Sequence, residues 1–463
     1  MDHKNNTPIN LFNPRHIANL ALVSLAVLLH AADATSVATL VPAIVQDIGG
    51  VELIPWAVSL YEIGTILAGA ACGFLTMNYG LKKPMFIATL LFSAGCITSY
   101  LALDMWIVLL GRLFQGMGGG GLVALSFVAV NVLFHRSLTP RVLAVVSVIW
   151  GASAFIGPLI GGLFVEYLTW RYAFLFFAFI SLVLACLLLV IVKDDFRFKA
   201  SQSNRFPIFR LLVLTIGIVS IAYAGVDVSV IKTTSFILIG GAFLFYFFHV
   251  DSNHDESRLF PKKPISLSNR VGAGLTMLLC FTISTIAITV YGPYLVTKIH
   301  GVSLLIAGYI VACSSIGWSI AAIVCSNINE SADRRMIILG MSTLTISIVG
   351  FIFSVPSGPI WLIALFAFLE GCGFGMAYAF ILRLITNETD ETERVSAAIP
   401  TVQRLGYAIG AAYVGIVANA VGISGETSRE ALADVAFWTF ASCLPIALLG
   451  LIAMFRFVKH GDY

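Results

Sequence analysis

The nine residues RLFQGMGGG, Arg112 to Gly120, read against a second stretch, AFLEGCGFG, Ala367 to Gly375, at an offset of 255 residues. Glycines recur in step, and Glu370 stands where the first copy has Gln115. The same offset lays Gly151 on Gly406, and the basic turn LKKPM (81–85) has a counterpart in DRRM (333–336) at an offset of about 252. The chain therefore reads as two related halves, a design in which membrane proteins hold a site at the interface between repeats.

The solvent for most of this chain is lipid. Of its 463 residues 59% are hydrophobic and only 11% charged, and its mean hydropathy is +0.95. Soluble domains carry about 25% charge. Helices need roughly 20 apolar residues to span a bilayer. Runs of that kind fall at about 17–42, 53–76, 84–103, 106–133, 142–165, 170–192, 208–226, 233–250, 271–297, 303–325, 335–354, 358–385, 395–420 and 434–456. The expected fold class is an all-α membrane protein with about 14 transmembrane helices. The polar start, MDHKNNTPINLFNPRH, precedes a first apolar run long enough to span, which reads as a retained helix and not a cleaved signal.

Positive charge orients the bundle. With both termini cytoplasmic, inner segments hold 21 Lys and Arg, against four outside (Arg171, Lys232, Lys298, Arg429) and two within spans (Arg112, Arg404). The expected location is the inner (plasma) membrane, multi-pass. The repeat divides the chain into an N-terminal six-helix bundle (1–193), linkers with an inserted helix pair (194–269) and a C-terminal six-helix bundle (270–463). No loop exceeds about 20 residues, so a soluble catalytic domain, a phosphate-binding GxxxxGK[ST] loop and a metal-binding histidine cluster are excluded. The eight cysteines lie in apolar runs without zinc or disulfide spacing and read as small buried side chains. Function must sit among the helices.

Further motifs carry a resemblance. DATSVATLVP (33–42) opens the series, followed by RLFQGMG (112–118) and GASAFIGPLIGG (151–162). WRYAF (170–174) begins the sixth run; RLFP (258–261) and PYL (293–295), with Gly301 and Gly308, follow. In this order the chain resembles the major facilitator superfamily, specifically its fourteen-helix drug:proton antiporter family, over nearly its whole length. The resemblance implies the major facilitator fold, two six-helix bundles plus two inserted helices, and export by alternating access driven by a proton gradient, with no other cofactor. It also implies conformational roles for Gly73, Gly80 and Lys82 in the loop after the second helix, and for Gly151, Gly157, Pro158, Gly161 and Gly162 in the fifth; the bland alternative for these glycines is helix packing alone. One departure is plain. In the loop GFLTMNYGLK (73–82), Met77 stands at the family's acid, and Asn78 and Leu81 at its arginines. The charge lock of that loop is weakened here or relocated, with Glu330, Asp333, Arg334 and Arg335 of the partner loop as its candidate carriers.

Charges inside a bilayer are costly and are functional candidates by default. From helix rise, Asp33 and Glu62 each lie roughly 13 Å from the outer surface, with Arg112 and Gln115 roughly 9 and 14 Å deep. Asp33 is the leading proton-coupling carboxylate, with Arg112 near enough to tune it; the alternative is a structural pair joining two helices. Glu62 is the second candidate. His30 shares a face with Asp33 and reads as a satisfied interior histidine. Glu370, roughly 18 Å deep, favours a cationic or zwitterionic substrate. Arg404 is equally suited to pair with Glu370 or with a substrate acid.

The expected function is a proton-coupled antiporter exporting small amphipathic compounds such as drugs. A dedicated metabolite or siderophore exporter is the alternative within transport, and a non-transporting receptor or assembly factor the alternative outside it. An enzyme is disfavoured, since no nucleophile–base or metal constellation appears. Expected partners are a small-molecule substrate, protons and the lipid bilayer, with no nucleic acid and no metal, in a monomer.

Overall fold

The computed structural model describes residues 13–192, 206–253, 258–386, 392–425 and 428–459. Of the cations counted above, Lys4, Lys193, Arg197, Lys199 and Arg205 lie outside these residues. The described residues form fourteen α-helices and no strand. The first six are α1 (Pro14–Ile48), α2 (Ile54–Tyr79), α3 (Lys82–Tyr100), α4 (Met105–Leu133), α5 (Thr139–Tyr167) and α6 (Trp170–Ile191). Two follow in the middle, α7 (Ile208–Tyr223) and α8 (Val230–Ser252). The last six are α9 (Arg270–His300), α10 (Leu304–Cys325), α11 (Asp333–Ser357), α12 (Ile360–Thr386), α13 (Thr392–Val421) and α14 (Arg429–Lys459).

Twelve of these are long and apolar enough to cross a membrane. The other two fall short of the expected fourteen spans for different reasons. α3 is diluted by Lys82 and Lys83 at its start, and α7 has 16 residues, or about 24 Å of rise against a hydrocarbon core of about 30 Å. Several helices outrun their apolar runs: α1 continues through Pro42 to Ile48. Hydrophobicity marks only the part that meets hydrocarbon, whereas the backbone ladder continues into the polar interface.

Local chemistry sets the ends. Asp104, Asn269 and Ser303 accept the N–H of the third residue on, capping α4, α9 and α10 at 3.0, 2.6 and 3.3 Å. At the end of α2, Gly80 has φ 75°, a left-handed conformation that glycine adopts at no steric cost. On the face away from the termini, Trp170 Nε1 donates to Asp47 Oδ2 at 3.0 Å, Arg171 pairs with the same carboxylate, and Arg171 also donates to the Ala102 carbonyl at 2.9 Å. The WRYAF stretch thus ties α6 to the ends of α1 and α3.

The repeat is visible as packing. A Cβ on Gly116 of α4 would fall 2.1 Å from the Tyr61 carbonyl of α2, and one on Gly371 of α12 would fall 1.7 Å from the Ser314 carbonyl of α10. Gly118 abuts Ala88 and Phe92 of α3, as Gly373 abuts Gly340 and Leu344 of α11. One register expected from the sequence is wrong. Gly406 meets Thr282 and the Leu279 carbonyl, and its packing equivalent is Gly157, which meets Thr35 and the Ala32 carbonyl. Gly410 and Gly161 repeat the relation one turn on. Gly151 faces only Ser319 Oγ, at 3.5 Å. Glycine-rich helices align in more than one register, and only the facing threonines select between them.

The inserted pair is built into the bundle on one side only. α7 packs against α8, α13 and α2, while α8 has α7 as its principal neighbour. At the terminal face, Arg210 of α7 pairs with Asp251 of α8 at 2.6 Å. The Asp251 carboxylate also accepts the N–H groups of Leu259 and Phe260 at 2.9–3.0 Å, and Phe260 packs on Phe247 and Phe248. The RLFP stretch is thereby fastened to α8. At the opposite face, Asn419 Nδ2 of α13 donates to the carbonyls of Glu52 (3.0 Å) and Gly225 (2.8 Å). Asn419→Ala strands both acceptors and is expected to cost about 1–3 kcal/mol, read as a lowered melting temperature of the detergent-solubilised protein.

Candidate functional site

Two ion pairs meet in the middle of the bundle. In the first, Arg112 of α4 donates to Asp33 Oδ2 of α1 at 2.7 Å and to Gln115 Oε1 at 2.6 Å. Its Nε reaches the Ala57 carbonyl at 3.4 Å, and its guanidinium lies 4.1 Å above the Tyr61 ring. Gln115 in turn donates to Ser99 of α3 at 3.3 Å. Asp33 is fully buried, and its Oδ1 has no hydrogen-bond partner among the described residues. Four helices of the N-terminal half thus converge on one carboxylate, which retains an open oxygen.

In the second pair, Arg404 Nη1 of α13 donates to both Glu62 oxygens of α2, at 3.1 and 3.2 Å. The sequence left Arg404 to pair with Glu370 or a substrate acid; its carboxylate partner is Glu62, in the other half of the chain. Helix crossing decides this, because α13 packs extensively on α2 and only slightly on α12. Arg404 Nη2 also lies 3.4 Å from His30 Nε2. The His30 Nδ1 is 2.8 Å from the Tyr61 hydroxyl, and its ring meets Trp150 edge-on at 5.7 Å. A guanidinium can only donate, so Nε2 accepts and Nδ1 carries the proton. Tyr61 oxygen then accepts from Nδ1, and its own proton goes to the His30 carbonyl at 3.3 Å. His30 is thus a satisfied interior residue, as expected, with partners for both ring nitrogens. Together with Tyr61 it joins the two ion pairs.

Glu370 stands apart. It is 4% exposed, its Oε2 has no partner among the described residues, and Ser314 is within hydrogen-bonding reach. Phe374 and Tyr378 follow it at four-residue steps on α12, and Trp318 of α10 lies 5.4 Å from each of those rings. The sequence held 34 phenylalanines with no means of choosing among them. The i, i+4, i+8 spacing from Glu370 was the available signal.

The halves touch on the side away from the termini. Ser59 donates to the Ala408 carbonyl at 2.9 Å, and Gly415 lies against Pro55. Across α5 and α10, Gly162 faces Leu305, while Gly308 receives Pro158 and Thr39. Gly157 and Gly161 instead clamp α5 to α1 of its own half. Arg404 is 26% exposed and Trp150 37% exposed although both sit at the centre of this network. The two halves meet on the face opposite the termini through these α2–α13 and α5–α10 contacts.

The stretch expected as a loop runs instead as the last turns of α2 as far as Tyr79, with no acid at Met77, and Asn78 donates to the Phe74 carbonyl one turn back, at 2.8 Å. Gly73 has open space around it. The corresponding ion pair exists in the other half: Arg383 Nε at the end of α12 donates to Asp333 at the start of α11 at 2.9 Å. Leu81, near-equivalent to Asp333 in the repeat, is buried.

Comparison with known proteins places this geometry. A probable multidrug-efflux transporter of Mycobacterium tuberculosis is 25% identical over 463 residues, covering 97% of this chain and 96% of the relative. The multidrug efflux pump SdrM of Staphylococcus aureus is 25% identical over 431 residues, covering 91% and 94%. Among solved structures, a peptide transporter in complex with alafosfalin superposes with a TM-score of 0.69 at 17% identity, covering 98% of this chain and 97% of that one. A bacterial homolog of the lysosomal transporter Spinster, in an inward-facing and unoccupied conformation, gives 0.67 at 12% identity, covering 97% and 98%. The family model of the Major Facilitator Superfamily matches residues 23–411 and again 274–462, and with two six-helix halves meeting around buried ion pairs, the chain belongs to that superfamily.

Proposed function

We propose that this protein is a proton-coupled antiporter that exports amphipathic cations or zwitterions, drugs among them, from the cytoplasm. The observation that carries the reading is the buried Asp33–Arg112 pair with an open carboxylate oxygen. A carboxylate held by one guanidinium is neutralised equally well by a proton, and export of a cation against proton entry requires such an exchange. The resemblance of the chain to multidrug-efflux transporters over nearly its full length supports the direction. Units 1–193 and 270–463 rock against each other around the inserted segment 194–269. Gly151, Pro158 and Gly162 of α5 lie at the contact that must slide. Both termini face the cytoplasm of the inner (plasma) membrane, and the protein works as a monomer on a proton gradient alone.

Glu370 and its aromatic neighbours form the substrate wall in this reading. A buried acid beside stacked rings suits a lipophilic cation.

The test is proton movement in proteoliposomes against a panel of lipophilic cations, zwitterions and siderophore-like acids. Lipophilic cations are expected to drive proton movement, and Glu370→Gln to raise their KM about tenfold, the loss of roughly 1.4 kcal/mol, while sparing uncharged substrates. Activity confined to one siderophore-like compound would instead identify a dedicated exporter. Silence with every compound would favour a receptor or assembly role.

A further inference from the structure

We propose that Arg404 is a mobile cation that competes with protons for Glu62 and His30, making these two residues a proton site distinct from Asp33. Arg404 is supplied by the C-terminal half, whereas Glu62 and His30 belong to α2 and α1 of the N-terminal half. The Nε2 lone pair of His30 holds either a guanidinium N–H or a proton, never both. Glu62 likewise has its charge balanced by Arg404 or by a proton.

The surroundings leave no substitute for either. The groups facing this cluster are Asp33 on α1, Tyr61 on α2, Arg112 on α4, Arg404 and Tyr407 on α13, and Glu370 and Tyr378 on α12. α3, α5, α7, α9 and α10 carry their Asp, Glu, Lys and Arg residues only near their ends or not at all. Asp33 and Arg112 occupy each other. When the halves separate at this level, Arg404 withdraws, and the one cation still facing Glu62 and His30 among the described residues is Arg112, which is paired with Asp33. Protons then take its place, up to one on each. When the halves close again, Arg404 returns to Nε2 and to the carboxylate and the protons leave. Closure of the face opposite the termini and proton occupancy are thus mutually exclusive states of one site. This rests on the reading of the chain as a proton-driven carrier, and it adds where closure and proton release are joined.

Hydrogen–deuterium exchange of the intact protein in lipid nanodiscs tests it without substrate or proton flux, so its outcome is separable from that of the transport assay. Exchange in segments 51–62 and 404–421, corrected for intrinsic rates, reports opening between pH 5 and 8.5. Opening of the wild type should rise as pH falls. His30→Gln keeps an acceptor for Arg404 but cannot take the proton; it should remain closed at high pH and lower the pH slope of opening by about one proton. Glu62→Gln, which mimics the protonated acid, should open both segments about tenfold at pH 8. Ser59→Ala, which removes the neighbouring bond to the Ala408 carbonyl, should shift opening at every pH with an unchanged slope. A wild-type slope in His30→Gln, or a closed Glu62→Gln at pH 8, overturns the proposal.

Discussion

Replacing Asp33 by asparagine is expected to cut substrate-driven proton movement by about a hundredfold or more, the scale of a lost proton-transfer group. The amide is nearly isosteric and still accepts from Arg112, so the geometry that holds α1 to α4 survives in outline. What disappears is a group that can bind and release a proton. The substitution also leaves the Arg112 charge buried without its counter-ion, and removing one member of such a pair costs about 3–5 kcal/mol. Stability and coupling must therefore be read separately. Melting temperature reports the first and proton release in proteoliposomes the second. Arg112→Lys separates them further: it restores the charge but loses the planar stack on Tyr61 and the forked contact with Asp33 and Gln115. Coupling that persists in Asp33→Asn at reduced stability would make the pair structural and move the coupling to Glu62.

The second large effect is expected from Gly371→Ala. The added methyl would lie 1.7 Å from the Ser314 carbonyl oxygen and 2.8 Å from Trp318 N, and backbone cannot rotate away as a side chain does. α10 and α12 must separate, with an expected cost of about 3 kcal/mol or more. Because Ser314 neighbours Glu370 and Trp318 stacks on Phe374, one turn along α12, KM for cations should rise together with the loss of stability. Gly116→Ala is the matched experiment in the other half, with Tyr61 as the displaced residue. There the readout is coupling, since Tyr61 lies between Arg112 and His30. Gly73→Ala, with nothing within 4 Å of its new carbon, is the control and should leave stability unchanged or raise it by up to about 1 kcal/mol, since it lies within α2. Equal melting temperatures for Gly371→Ala and Gly73→Ala would contradict the close crossing of α10 and α12.

Membrane residence, helical class and repeat were legible because each rests on a property the chain carries locally. Apolar runs of spanning length have no stable home in water, and a helix satisfies its backbone within its own segment. The RLFQGMGGG and AFLEGCGFG stretches show the repeat because close helix crossing admits only glycine at those positions. Depth put Asp33, Glu62 and Arg112 at similar levels of the bilayer, which made a pair with Arg112 legible, but the choice of Asp33 over Glu62 came from packing.

What the sequence could not decide were relations between helices that share no local pattern. Arg404 and Glu62 are 342 positions apart, and depth along a helix says nothing about which face it turns to its neighbour. The choice of Glu62 over Glu370 came from the crossing of α13 on α2. The pairing of Gly406 with Gly157 came from Thr282 and Thr35 on the facing helices, and the place of the inserted pair came from α7 lying along α13 and α2. His30 shows the division most clearly. Its position beside Asp33 could be read from i, i+3 spacing, but its second nitrogen meets a residue from the far half of the chain. Local composition determines which segments become helices and how deep each polar group lies; only packing in three dimensions determines which of those groups meet.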